Sequence, residues 1–138
     1  MSELHYTMAS LRFFGDDLIP DEVTELLGEQ PTKSELKGHV RIGVKTGQEI
    51  TVKTGGWWLN APVQNDGNLD KQVANLLQSL TRDLEIWGDL TKRFNADVFC
   101  GLFMQTGNDG LSMTPSTLHM LGERGLRLEM CIYDPSDD

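Results

Sequence analysis

Residues 7–28 read Thr-Met-Ala-Ser-Leu-Arg-Phe-Phe-Gly-Asp-Asp-Leu-Ile-Pro-Asp-Glu-Val-Thr-Glu-Leu-Leu-Gly, a stretch whose hydrophobic period changes once, at Gly15. Up to Phe14 the pattern alternates. Ala9, Leu11 and Phe13 fall on one side, with Ser10 and Arg12 on the other, as in a strand with one solvated face. From Asp16 to Gly28 the pattern becomes helical. Pro20 suits a first turn, Asp21 and Glu22 favour the positive helix end, and Val23, Leu26 and Leu27 form an apolar stripe. Gly28 supplies the stop, and Pro31 blocks resumption.

Beyond this βα unit, Val40, Ile42 and Val44 alternate with Arg41, Gly43 and Lys45, and Ile50 and Val52 alternate with Thr51 and Lys53. This predicts a hairpin. A three-residue loop, Thr46 to Gln48, sets Val44 against Ile50, whereas a two-residue loop would bring Glu49 to the core face. Gly55 and Gly56 then interrupt the strand before Trp57, Trp58 and Leu59, where a bulge or bend lets the pattern change phase. Residues 61–68 form a polar connector.

The strongest periodicity follows. Leu69, Val73, Leu76, Leu77, Leu80, Leu84, Trp87, Leu90 and Phe94 recur at three and four residues, as on one helix face, with a kink or break expected near Thr81. In Ala96 to Gln105, Val98, Cys100, Leu102 and Met104 alternate with Phe99 and Phe103, the pattern of an interior strand covered on both faces. After a turn at 106–110, residues 111–113 offer a short strand. Thr114 and Pro115 start a helix that Gly125 ends, and Leu126, Leu128, Met130 and Ile132 mark a last strand. Residues 134–138 read as an acidic tail.

The order β, α, β, β, α, β with an added C-terminal α, β unit contains the split βαβ pattern of ferredoxin-like folds. The expected class is therefore α+β, with a mainly antiparallel sheet and helices on one face. The placement of the added unit stays open. At 138 residues the chain is expected to form one domain, 1–138, burying roughly 70% of its unfolded surface.

A formal net charge of −9, from 21 acidic and 12 basic residues, opposes a phosphate backbone unless the bases cluster. They do not. Lys33, Lys37, Arg41, Lys45 and Lys53 are dispersed among acids and glycines, so nucleic acid and anionic membranes are not expected as partners, and a cationic partner would be attracted. Residues 1–7 lack a basic segment followed by an apolar one, and no apolar run approaches bilayer length. A cytoplasmic location is expected, with Cys100 and Cys131 as buried free thiols.

Several segments together resemble a known family. These are Leu11 to Gly28 with Pro31-Thr32, Lys53-Thr-Gly-Gly-Trp-Trp-Leu59, the leucine-rich helix, Gly110-Leu-Ser-Met-Thr-Pro115 and Leu128-Glu-Met-Cys-Ile-Tyr133. In this order they are similar to the bacterial domain of unknown function 4279, over nearly the whole chain. The resemblance implies a fold and carries no activity onto any residue. Members usually have an acid before the first helix's proline; here Ile19 stands there and offers no side-chain cap, leaving Asp16 or Asp17 as substitutes.

No local motif encodes an active site, so no catalytic residue, metal ligand or cofactor is expected. Asp16, Asp17, Asp21 and Glu22 lack EF-hand spacing and suit a helix start. His5, His39 and His119 lie far apart, and no Cys or His pair has zinc-finger spacing. Ser116 and His119 lack a nucleophile elbow, Cys100 sits mid-strand where burial makes a thiol inert, and Thr54-Gly-Gly56 is not a P-loop.

Trp57 and Trp58 are neighbours on a strand, so one of them is expected outside the core, as a partner anchor or packed on a loop. The expected function is a non-enzymatic protein-interaction or binding module, for which a toxin-neutralising immunity protein is an analogue. Its partner would be another protein or a second copy in a homodimer. The alternative is a small-molecule-binding protein or enzyme, with Arg12, Asp16 and Asp17 drawn together between sheet and helices.

Overall fold

Central in the sheet is Tyr6–Gly15, whose backbone pairs with a strand on each side and whose alternating pattern sorts its side chains between the two faces. The computed structural model describes residues 2–63 and 66–135. Gln64 and Asn65 of the expected connector and the last three residues of the expected acidic tail lie outside them. In chain order the elements are β1 (Ser2–Glu3), β2 (Tyr6–Gly15), α1 (Pro20–Leu27), β3 (Lys33–Glu35), β4 (Val40–Ile42), β5 (Glu49–Thr51) and β6 (Gly55–Asn60). There follow α2 (Leu69–Gln78), α3 (Leu84–Arg93), β7 (Asn95–Phe103), β8 (Asp109–Gly110), α4 (Pro115–Glu123) and β9 (Arg127–Tyr133).

The architecture is α+β, with a five-stranded sheet in the order β3-β6-β2-β7-β9. All neighbours are antiparallel except β7 and β9. The added C-terminal unit thus places its strand at the sheet's edge, parallel to β7 and reached through α4. Two small ribbons stand apart from this sheet: β4 with β5, and β1 with β8 in parallel.

The expected hairpin exists, but outside the main sheet. Arg41, not Val44, faces Ile50, and Val44 is 100% exposed. Every residue of the hairpin's two strands is exposed, so no core face selects the expected register. The sheet's edge is formed instead by Lys33–Glu35, too short to show an alternating pattern. Likewise the extra strand expected at 111–113 is Asp109–Gly110.

No bulge occurs at Gly55 and Gly56, which pair in step with Gly15 and Phe14. A Cβ at Gly55 would lie 2.8 Å from the Gly15 carbonyl oxygen and 2.9 Å from that of Leu18, so close backbone approach accounts for this glycine.

Helices α1 to α4 pack on the side of the sheet that carries Ala9, Leu11, Phe13, Trp57, Val98, Cys100 and Leu102. Phe13 stands edge-on to Trp57, ring centres 5.9 Å apart, and stacks on Trp87 at 6.3 Å. The leucine-rich segment is two helices. Asn68 caps α2 through Lys71 N–H, and Asp83 caps α3 through Glu85 N–H. At the break Thr81 N–H donates to the Leu27 carbonyl at 3.0 Å, and Trp87 Nε1 donates to the Thr81 carbonyl at 2.9 Å. Both groups at Thr81 are therefore engaged outside a helix. Gly88, a weak helix former, lies inside α3 without breaking it.

One polar cluster sits within the core. Thr7 Oγ1 donates to Gln72 Oε1 at 2.9 Å, while Gln72 Nε2 donates to the carbonyls of Thr7 and Pro62 at 3.1 and 2.8 Å. Both side chains are buried. They tie α2 to β2 and to the connector before it.

Two stability effects follow from these termini and this cluster. Gln72→Leu leaves two buried atoms of Thr7, and the partly buried Pro62 carbonyl, without this partner and should lower the unfolding free energy by about 1–3 kcal/mol. Ile19 ends α1 with no side-chain cap, so Ile19→Asp should raise it by about 0.5–2 kcal/mol. Urea unfolding at neutral pH measures both.

Candidate binding face

Alternation along β2 sends Tyr6, Met8, Ser10, Arg12 and Phe14 to the side of the sheet opposite the helices. Register adds Lys33 and Trp58 beside Arg12 from one direction, and Asp97 with Arg127 from the other. Phe99 falls beside Ser10, and Phe103 with Tyr133 beside Tyr6. The expectation that β7 is covered on both faces is therefore corrected. Asp97, Phe99 and Phe103 are only half-buried, since among the described residues no helix packs over them.

At the middle of this face Arg12 Nε and Nη2 donate to the two carboxylate oxygens of Asp97, at 2.8 and 2.7 Å. The geometry is bidentate. The same guanidinium lies 4.5 Å from the Phe99 ring centre and 5.2 Å from that of Phe14. Flanked by rings and held by a carboxylate, Arg12 keeps its proton more tightly than usual, first through the Asp97 hydrogen bond.

Trp58 continues the aromatic surface. Its ring meets Phe14 edge-on at 5.4 Å and carries Lys33 Nζ at 4.8 Å. A Cβ on Gly56 would come 2.3 Å from the Trp58 ring, so the indole lies directly on the strand at the one residue type that admits it. At the far end Phe103 stacks between Tyr6 and Tyr133, at 4.1 and 4.5 Å. A groove of about 160 Å³ runs along this end, beside Met8, Ser10, Phe99 and Phe103.

The five residues singled out from sequence separate into three groups. Arg12 and Trp58 are directly opposed on the helix-free face. Trp57 is wholly buried on the other side, with its Nε1 donating to Thr24 Oγ1 of α1 at 3.0 Å, so it is a core residue. Asp16 and Asp17 are exposed in the turn after β2 and are not buried between sheet and helices. Neither caps α1. Asp16 accepts from Thr54 Oγ1 at 2.8 Å and pairs with Lys37 Nζ at 3.1 Å; these contacts, Thr54 first, hold its carboxyl below the usual range.

Other titratable groups are accounted for by structure. Cys100 is buried on the helix side, and burial pushes its thiol up to about 12, against use as a thiolate at neutral pH. Cys131, expected to be buried, is half-exposed on the helix-free face. Glu22 pairs with Arg93 at 2.6 Å. Among the described residues, no three His, Cys, Asp or Glu side chains stand close enough to hold a metal ion, and no helix is long and apolar enough to cross a membrane.

Phe14, Asp97, Phe99, Phe103, Tyr6 and Tyr133 were not legible as members of one site. Their signal is parity with Arg12, which becomes usable only once the pairing of β2 with β7 is known.

This arrangement defines an α+β domain with helices on one sheet face and an aromatic, charge-paired surface on the other. The chain belongs to the family described as Domain of unknown function (DUF4279), which matches residues 3–135. No curated protein and no solved structure matches it.

Two measurements check this geometry. Trp57 and Trp87 are inaccessible, so iodide should quench only the Trp58 part of the emission, and Trp58→Phe should abolish the quenchable fraction. Thr54→Val should raise the titration midpoint of Asp16 seen by NMR. The sign follows from linkage. A depressed folded-state pKa means that Asp16 contributes stability above its unfolded pKa and loses it as pH falls through the folded one.

Proposed function

We propose that this chain is a protein-interaction module that binds its partner on the helix-free face of the sheet, with Trp58, Phe14, Arg12 and Phe99 at the centre of contact. The observation that carries the proposal is the convergence of these aromatic rings and the Arg12–Asp97 pair on one face that, among the described residues, no helix covers. Tryptophan, tyrosine and arginine are the residues enriched at interface hot spots. Large aromatic rings held against glycine and against one another also have little side-chain entropy left to lose on binding.

Two competing ligands fit less well. On this face the groove of about 160 Å³ is smaller than the roughly 300–1,000 Å³ of small-molecule pockets, which argues against a small molecule at this face. Stacked bases would suit the rings, but a chain of charge −9 repels a phosphate backbone. A protein with a cationic surface answers both the aromatic content and the charge.

Three finer features belong to the same proposal. The strand order β3-β6-β2-β7, with α1 between β2 and β3 and α2 and α3 before β7, supports a ferredoxin-like core extended by α4 and β9. One contiguous apolar cluster supports a single domain. Free thiols at Cys100 and Cys131 support a cytoplasmic location.

The test is affinity capture from the source cell's lysate with four baits: wild type, Trp58→Ala, Phe99→Ala and, as a control on the outer side of α4, Leu118→Ala. A protein retained by wild type and by the control should be lost from both face variants, with affinity falling at least about 30-fold for Trp58→Ala. A captured set that ignores the face substitutions, or no captured protein, would overturn the proposal.

A further inference from the structure

The two edges of the main sheet are built differently. At one end β3 is three residues long, carries Lys33 and Glu35, and follows Pro31, which are features that discourage pairing with another chain. At the other end β9 is seven residues long, contains no proline, and pairs along its whole length with β7 without a bulge. Among the described residues no strand meets its outer side.

The backbone of β9 shows which groups are on offer. Tyr133 accepts at its carbonyl from Met104 N–H at 3.2 Å, so the odd-numbered residues of β9 turn their polar groups toward β7. Leu128, Met130 and Ile132 therefore aim N–H and C=O outward. Their side chains lie on the helix side, yet Met130 is 51% and Ile132 65% exposed. Beside them is an apolar groove of about 400 Å³ walled by Leu4, Leu102, Met104 and Leu111. An unpaired ladder and an unfilled apolar groove thus occupy the same edge.

We infer that β9 pairs antiparallel with β9 of a second copy across a two-fold axis at Met130, joining the two sheets into one. This surface is the sheet's edge and stands apart from the face proposed above. The choice of occupant rests on self-complementarity. A two-fold axis normal to the sheet keeps each face continuous, so a residue must meet one of its own parity. An axis at Glu129 would oppose two carboxylates, and one at Leu128 would overlap only residues 127–129 of the two strands.

The axis at Met130 overlaps all seven residues of both strands. It sets Leu128 against Ile132 and Met130 against Met130 as hydrogen-bonded pairs, about six backbone bonds in total. The exposed Met130 and Ile132 side chains are then covered by apolar ones. On the other face Arg127 meets the Tyr133 ring of the second copy, a cation against a π system. Within a chain of charge −9, β9 itself balances one Arg against one Glu, so the strand adds no net charge to the joint. Glu129 lies beside Cys131 of the second copy, and its diagonal approach to the other Glu129 is solvent-exposed and weak.

Sedimentation velocity of the full chain, at concentrations up to about 100 μM where even a weak dimer is populated, should give twice the mass of 15.4 kDa. Met130→Lys opposes two ammonium groups at an exposed position and should restore 15.4 kDa, with circular dichroism and melting unchanged. Ile132→Lys is the second variant should the first melt early. Glu129→Cys reads the register. Non-hydrogen-bonded pairs have Cα atoms about 4.5 Å apart, within disulfide reach, so diamide, which takes up the two electrons and two protons, should link position 129 to Cys131 of the second copy. A mass of 15.4 kDa at every concentration, dimers in both lysine variants, or no such link would overturn the inference.

Discussion

The division between the core and the helix-free face of this protein follows from the parity of one strand. β2 is paired on both sides, with β6 and with β7, so its alternation is imposed on three strands together. Leu11 and Phe13 point to the helices and bring Trp57 and Val98 with them; Arg12 and Phe14 point away with Trp58 and Asp97. A slip of one residue would exchange these sets. It would drive a guanidinium–carboxylate pair into the core and expose Phe13 and Trp57, at a cost no local rearrangement could offset.

Within that constraint the helix-free face is assembled from parts that hold one another. Asp97 fixes the guanidinium of Arg12 through two hydrogen bonds, and Phe14 and Phe99 enclose it. Phe14 also supports Trp58, whose ring rests over the bare backbone of Gly56. A similar device recurs at the other end, where Phe103 comes within 3.2 Å of a Cβ built on Gly101. Such rings lie close to the sheet, so the surface is broad and shallow.

Elements defined by many apolar residues were legible in the sequence, and elements defined by few were not. The leucine repeat and the cap-and-proline start at Thr114 and Pro115 located the helices, and the break at Thr81 was visible as a weak point in the repeat. The strand Lys33–Glu35 was invisible because three residues carry no period. The ribbon of β4 and β5 misled, since Val40, Ile42 and Val44 alternate as if one face were buried when all three are exposed. The site was half legible. One of two adjacent tryptophans had to leave the core, and Arg12 was visibly on the polar side of its strand, but its partner Asp97 lies 85 residues on and no local pattern connects the two.

The central position of β2 also sets the order of events during synthesis. Gly15 must wait for Gly55, and Tyr6 for Phe103, before either side of the strand is paired. A nascent chain emerging from the ribosome therefore carries this strand open on its β7 side until about three quarters of its length has been made, although β6 can pair with the other side sooner. Such non-local pairing slows folding and leaves an adhesive segment open to other chains. For this protein the vulnerable interval lies before the release of β7, when one side of β2 is still open, and crowded translation or a pause in that window is where its yield would be decided.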